Sequence, residues 1–228
     1  MTKTCVTLLV LTAGVISGSQ VAYASDPAHA DQAIVPPAEA ISRLKDGNSR
    51  YTNGNQQHPH QSTEQRVELI KSQHPFAIVV GCADSRVPPE IVFDQGLGDL
   101  FVLRVAGNVI DDHSLGSIEY AVDHLAVRLI VVLGHQSCGA VKAAKDTIAA
   151  KTEAPAHIQS LVTAIQPAVE ATVHGDLETT VKANVKDVVQ ALRSSTPVLK
   201  PNVDSGELRV LGAYYSLDTG AVSFLDEK

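Results

Sequence analysis

Short aliphatic runs alternate with segments of helical periodicity through the middle of this 228-residue chain. The runs Phe76–Val80, Leu100–Val105 and Leu129–Leu133 have the length and composition of strands buried on both faces. Between them, residues 88–93 open with proline, which is common in the first turn of a helix, and residues 115–125 carry apolar side chains at spacings of three and four. Strands that alternate with helices predict an α/β fold on a parallel sheet.

The segments on either side extend this pattern. The further predicted elements are helices over 141–149, 156–173 and 177–192, and strands over 208–215 and 221–225. Upstream, apolar positions after Pro37 and around Val67–Ile70 predict two amphipathic helices. Because the crossover helices already cover the sheet, these N-terminal helices are predicted to pack on a partner subunit.

Two loops at predicted strand ends carry a concentrated set of reactive side chains. Gly81–Arg86 follows the first run and Gly134–Gly139 follows the third. Together they supply two thiols, an imidazole, a carboxylate and a guanidinium, from Cys82, Cys138, His135, Asp84 and Arg86. Functional loops gather at the carboxyl ends of parallel strands, so the two loops are expected to converge. Sulfur and imidazole ligands beside a carboxylate predict a Zn²⁺ site.

Charge balance at such a site predicts a gate. Two thiolates already neutralise Zn²⁺, so Asp84 as a fourth ligand would close the site to a reacting water. Arg86, two residues further on, can hold that carboxylate in a bidentate pair and so free the fourth position. Zinc then lowers the pKa of its water to about 7, which yields a hydroxide nucleophile near neutral pH.

The first 24 residues have the pattern of a secretory signal peptide. Lys3 provides a basic start, residues 5–16 form an apolar stretch too short to span a bilayer, and Val21–Ala24 ends in a small-x-small cleavage pattern. The predicted organisation is a signal peptide over 1–24, a flexible lead-in over 25–36 and one domain over 37–228. The mature protein is expected to be periplasmic or secreted, without stable membrane association. A retained N-terminal anchor helix is the alternative.

Export would leave the mature chain with two cysteines, Cys82 and Cys138. A structural disulfide between them is one interpretation, since an exported protein meets oxidising conditions. Both cysteines lie beside other metal-ligand types, however, and this context favours the metal site. The formal net charge of −7 argues against an extended basic face for nucleic acid.

The two motifs resemble the zinc site of the β-class carbonic anhydrases. The resemblance runs over 73–141 and includes Asp99–Val102, Ala106–Asn108 and Ile118–Ala121. It implies four parallel core strands plus a C-terminal antiparallel strand, Zn²⁺ as cofactor, and reversible hydration of CO₂ to bicarbonate and a proton by a homodimer or homotetramer. Val79 stands where a bicarbonate-inhibited sub-type carries tryptophan, so the plant-type subset is predicted.

The resemblance also implies a role for each site residue. Cys82, His135 and Cys138 would be the permanent zinc ligands. Asp84 would be an exchangeable fourth ligand which, when paired with Arg86, accepts a hydrogen bond from zinc hydroxide. Asp84 and Arg86 are thus the predicted catalytic pair. The predicted substrate-binding residues are Gln73, Phe101, Tyr120 and Gly139.

Two other functions fit the same residues. The family resemblance also allows a hydrolase of CS₂ or COS with the same ligands. A non-catalytic zinc-binding protein is the alternative from a different class. A structural zinc site has little need of an arginine beside its carboxylate ligand, so the enzyme is the preferred interpretation.

Overall fold

A five-stranded sheet forms the centre of the computed structural model, which describes residues 34–225. Its strands are β1 (Ala77–Gly81), β2 (Leu100–Arg104), β3 (Leu129–His135), β4 (Arg209–Tyr215) and β5 (Val222–Phe224). The spatial order is β2-β1-β3-β4-β5, in which the first four strands are parallel and β5 is antiparallel to β4. The predicted α/β fold is therefore confirmed, including its antiparallel C-terminal strand.

Helices cover both faces of this sheet. In chain order they are α1 (Pro37–Thr52), α2 (Thr63–Glu68), α3 (Pro89–Val92), α4 (Asp112–Asp123), α5 (Gly139–Ala150), α6 (Ile158–Ala171), α7 (Leu177–Ser194) and α8 (Leu199–Asp204). A 3₁₀ turn, Ala106–Asn108, follows β2. Among the helices of the described part of the chain, none has both the length and the apolar character that a membrane crossing requires.

Alternate residues of the strands enter two separate apolar cores. Ile78 and Ile130 pack with α4 and α7 on one face, whereas Val79 and Val131 pack with α1 on the other. Every residue of β1 and β3 is buried. Successive side chains of a strand point to opposite faces, so a strand covered on both sides is apolar throughout. This is why the two central strands are continuous aliphatic runs in the sequence.

Helix α1 corrects the reason given for partner packing, namely that the sheet has no room for the N-terminal helices. Its apolar stripe of Ala40, Ile41 and Leu44 is buried against this chain's own sheet. The buried Asn48 side chain donates to the Val92 and Gly220 carbonyls, at 3.0 and 2.9 Å. The sheet is not fully covered by crossovers, because α3 has only four residues and leaves most of that sheet face open for α1. Additional packing of α1 on a partner subunit stays a prediction.

Helix α2 differs from α1 in burying none of its residues. Val67 and the nearby Ile70 are 56% and 78% exposed. The Leu69 side chain packs against Gly98 and occupies the space that a Cβ there would fill. For α2, packing on a partner subunit therefore stays a prediction. The predicted signal peptide over 1–24 lies outside the described residues, as does residue range 25–33 of the predicted lead-in, and export also stays a prediction.

A buried ion pair ties α1 to the end of α3. The Asp94 carboxylate accepts hydrogen bonds from Arg50 Nε at 2.6 Å and from the backbone N–H groups of Gln57 and His58 at 3.0 Å. Burial acts to raise the pKa of Asp94, but these hydrogen bonds outweigh it and hold the pKa below its usual value. The carboxylate side chain is 1% exposed, so solvent screens this pair little.

Asp94→Asn is expected to lower the free energy of unfolding by about 3 kcal/mol at pH 7, because it leaves Arg50 without its anion. The folded pKa is depressed, so wild-type Asp94 stabilises the fold above about pH 4 and loses that effect as the pH falls through the folded pKa. The difference between the two proteins in urea unfolding should therefore shrink in acid. Glu39→Gln, which breaks the exposed Arg43 pair of the same helix, should cost less than about 0.5 kcal/mol.

Candidate metal centre

Three candidate ligands meet where β1 and β3 end. Cys82 directly follows β1, His135 is the last residue of β3, and Cys138 caps the N-terminus of α5. Their ligand atoms all lie within 4.8 Å of one another. The register explains this convergence, since Gly81 lies beside Leu133 in the adjacent parallel strand. In the part of the chain that the structure describes, no other three metal-ligating side chains of this kind come together.

The orientation of His135 leaves one ring nitrogen for a ligand. Its Nδ1 donates to the Gln136 carbonyl oxygen at 2.9 Å, which selects the tautomer with a lone pair on Nε2. That Nε2 is buried and has no hydrogen-bond partner, and the residue is 0% exposed. A buried polar atom without a partner is destabilising, so its retention beside two thiols fits a metal ligand.

The two cysteines are free thiols, 4% and 1% exposed, and each affects the ionisation of the other. Hydrogen bonding from Cys138 lowers the pKa of Cys82, whose sulfur also accepts from the Gly107 N–H at 3.3 Å. The same hydrogen bond and burial raise the pKa of Cys138. Burial disfavours protonation of His135, but Cys82 outweighs it and raises the pKa of His135. A thiolate favoured at Cys82, beside a second sulfur and an imidazole in this buried cluster, suits a soft or borderline cation.

Asp84 lies beside this cluster but is held by Arg86. The guanidinium donates from Nε and Nη2 to the two carboxylate oxygens at 2.9 and 2.7 Å, and the Arg86 N–H adds a bond of 3.0 Å. These hydrogen bonds keep the pKa of Asp84 well below its usual range. Asp84 Oδ2 is 3.9 Å from His135 Nε2. The carboxylate is therefore within reach of the cluster while paired with arginine.

Arg104 and Gly107 support the site, and the sequence analysis assigned no role to either. Arg104 Nε donates to the Cys82 carbonyl at 2.9 Å, and Nη2 donates to the Asp84 carbonyl. Gly107 has a φ of 70°, and a Cβ there would lie 2.8 Å from Ile165 Cδ1. Only glycine brings this backbone N–H to Cys82 without a clash. The one signal in the sequence is that Arg104 places a charge near the end of the predicted strand Leu100–Val105.

The predicted substrate residues are not all near the cluster. Gly139 adjoins Cys138, and no atom lies within 4 Å of where its Cβ would be. Gln73 is exposed and precedes β1, so the whole strand, about 16 Å long, separates it from Cys82. Phe101 lies beside Ile78, near the N-terminal ends of β2 and β1 and so at the opposite end of the strands from Cys82. Tyr120 is 44% exposed on α4 and stacks on a histidine ring at 4.8 Å.

Fold and cluster together define an α/β protein with a candidate Cys–His–Cys metal centre at the carboxyl edge of its sheet. Comparison with known proteins agrees with this class. The family model described as carbonic anhydrase matches residues 77–222. Carbonic anhydrase 2 of Mycobacterium tuberculosis is 43% identical over 193 residues, which cover 83% of this chain and 93% of that protein.

Solved structures show the same relationship. A Coccomyxa β-carbonic anhydrase in complex with acetazolamide is 27% identical, with a TM-score of 0.63 over 81% of this chain and 86% of that one. Structures of two tetrameric β-carbonic anhydrases from Sordaria macrospora have been solved, and the matching chain is 23% identical to this one. The TM-score is 0.64 over 81% of this chain and 95% of the matching chain, which shows the shared fold. This chain belongs to the β-carbonic anhydrase family.

Proposed function

We propose that this carbonic anhydrase catalyses the reversible hydration of CO₂ to bicarbonate and a proton, with Zn²⁺ held by Cys82, His135 and Cys138. The observation that carries the proposal is the buried, unpaired Nε2 of His135 within 4.8 Å of two thiols. Zinc bound there would act as a Lewis acid that lowers the pKa of water. Two soft sulfurs and one imidazole are a ligand set that this metal prefers.

Pairing with Arg86 determines whether the Asp84 carboxylate binds the metal or accepts a hydrogen bond from the reacting water. With three hydrogen bonds from Arg86, Asp84 stays ionised and is held beside the cluster, with its Oδ2 3.9 Å from His135 Nε2. Its Oδ2, on the side of His135, is then positioned to accept a hydrogen bond from the reacting water. The Arg104 bonds to the Cys82 and Asp84 carbonyls keep the backbone in place. Because the backbone is held in place, the Asp84 carboxylate moves between Arg86 and the cluster by movement of its side chain alone.

Stopped-flow measurement of CO₂ hydration tests this function. The purified chain should lose its activity when a chelator removes the metal and regain it when Zn²⁺ is added back. Absence of CO₂ hydration by the zinc-loaded protein on both sides of neutral pH would refute the proposal. Parallel assays with CS₂ and COS separate the hydratase from a hydrolase of the same family.

We infer that the complete substrate pocket contains residues of a second copy. Gln73 and Phe101 lie towards the opposite end of their strands from Cys82, Tyr120 is exposed, and the exposed Val67 and Ile70 provide apolar surface for a partner. In a twofold dimer, Gln73 of each subunit would then serve the other subunit's site. A homodimer or homotetramer meets this requirement, and the Sordaria macrospora structures are described as tetrameric.

Mixing two inactive variants tests this arrangement. Gln73→Ala retains its metal ligands, whereas Cys138→Ser retains Gln73, so a mixed dimer holds one intact site. Random mixing of equal amounts should restore about a quarter of the wild-type activity, since half of the dimers are mixed and each has one working site of two. If Gln73 served its own subunit, co-expression would restore nothing, and if it served no site, Gln73→Ala would already be active by itself.

A further inference from the structure

The Gln136 side chain connects the metal-site loop to the turn between β4 and β5. Its Nε2 donates to Asp218 Oδ2 at 2.7 Å. Its Oε1 accepts from the Asp218 N–H at 3.1 Å and from Ser216 Oγ at 3.3 Å. One side chain therefore makes three hydrogen bonds to a turn some 80 residues away in sequence, and none of them is required by the sheet ladder.

The backbone of the same residue holds the His135 ring. Its carbonyl oxygen accepts from His135 Nδ1 at 2.9 Å, while its N–H donates to the Tyr215 carbonyl at 2.8 Å. The carbonyl belongs to the peptide unit shared with Ser137. The direction in which it points therefore depends on the backbone angles on either side of that peptide.

Ser137 makes this peptide sensitive to its surroundings. Its φ is 56°, in the left-handed region that non-glycine residues rarely adopt. Such a conformation persists only where neighbouring contacts determine it. The Tyr215 bond fixes the N-terminal side of Gln136, and the bonds to the turn fix its side chain. Together they hold the Gln136 carbonyl towards His135 although the next residue is strained.

We propose that Gln136 is a positioning residue for the metal ligand His135, and that Asp218 acts on the metal site through it. The turn fixes the Gln136 side chain, this orients the carbonyl, and the carbonyl holds the imidazole with Nε2 towards Cys82 and Cys138. The proposal rests on the metal site of the proposed function. Loss of an outer hydrogen bond of this kind typically lowers metal affinity by about 10- to 100-fold.

A set of charge-exchange variants tests the connection. Gln136→Glu places two carboxylates at the 2.7 Å contact, so the side chain must leave the turn. Asp218→Asn alone can still accept from Gln136. In the double variant Gln136→Glu/Asp218→Asn, the new amide donates to the new carboxylate and restores the link. Thr219→Ala is the matched control, because Thr219 Oγ1 contacts the Ala221 N–H within the same turn and not Gln136.

The measured quantity is the Zn²⁺ dissociation constant, obtained by competition with a chromophoric chelator, together with the melting temperature of each metal-free protein. Gln136→Glu should bind Zn²⁺ at least about tenfold more weakly than wild type. Asp218→Asn, the double variant and Thr219→Ala should remain within about twofold of it, since each retains a side-chain hydrogen bond between residues 136 and 218. The metal-free melting temperatures should differ little, because the exchange lies at the surface of the turn.

Three results would overturn the assignment. These are equal affinity for Gln136→Glu and wild type, no recovery in the double variant, or an equal loss in Thr219→Ala, which would indicate a general effect of the turn. Failure of the wild-type protein to bind Zn²⁺ would instead refute the proposed function, and the positioning role with it. The two failures are therefore distinguishable.

Discussion

Arg86→Ala is expected to retain the bound metal and to lose CO₂ hydration activity by at least about a hundredfold. Arg86 supplies every side-chain hydrogen bond that the structure shows to the Asp84 carboxylate. Without them, the Asp84 carboxylate, 3.9 Å from His135 Nε2, is free to enter the metal site as a fourth ligand. A site with four protein ligands has no position for water. The variant should therefore be inactive although its metal is tightly held.

The measurement pairs zinc content with stopped-flow hydration rates. Lys142→Ala is the matched control, since it also removes one exposed cation and its ion pair, with Asp146 on α5, but touches neither Asp84 nor the ligands. Arg86→Lys should recover only part of the activity, because an ammonium cannot form the bidentate pair. Near-normal hydration by Arg86→Ala would show that the arginine does not control Asp84.

Cys138→Ser is the substitution for which the largest loss is expected, at least about a thousandfold in hydration activity, because a neutral hydroxyl is a poor substitute for thiolate on zinc. Cys138 is 1% exposed, and serine of similar size leaves little space unfilled. We therefore expect a folded protein with little or no bound zinc, detected by elemental analysis after gel filtration.

Ser137→Gly is the control for this experiment. It changes the neighbouring residue without removing a ligand, and glycine adopts the positive φ of 56° without strain. It should keep its zinc and its activity. A Cys138→Ser protein that retained one zinc per chain and hydrated CO₂ at the wild-type rate would exclude Cys138 as a ligand.

The local pattern of the sequence was sufficient for the strands and for most helices. The central runs were apolar throughout because both faces of β1 and β3 are covered, so their ends could be placed within two residues. Helix α8, which is short and contains Pro201, shows no periodicity and was missed. The place of α1 on this chain's own sheet was not predicted, since an apolar stripe predicts burial but does not identify the surface that buries it.

The residues of the candidate site likewise include some that the sequence predicted and some that it did not. Its five reactive residues were predictable because the carboxyl ends of parallel strands meet at one edge, whatever the other contacts of the fold. Arg104 and Gln136 were not assigned a role, since they act through backbone carbonyls or through a distant turn. A backbone acceptor is present at every residue, so a pattern of side chains cannot indicate which one is used.

Residue type alone determined which chemistry this chain can hold: two thiols, an imidazole and a carboxylate with its arginine, each at a strand end. Only the tertiary structure decided how they are used. The contacts of Asp84, His135 and Cys82 with arginine, carbonyl and backbone N–H depend on the packing of segments far apart in sequence. Ligand identity is a local property of the sequence, whereas orientation and charge at the site arise from contacts that exist only once the sheet and its turns have assembled.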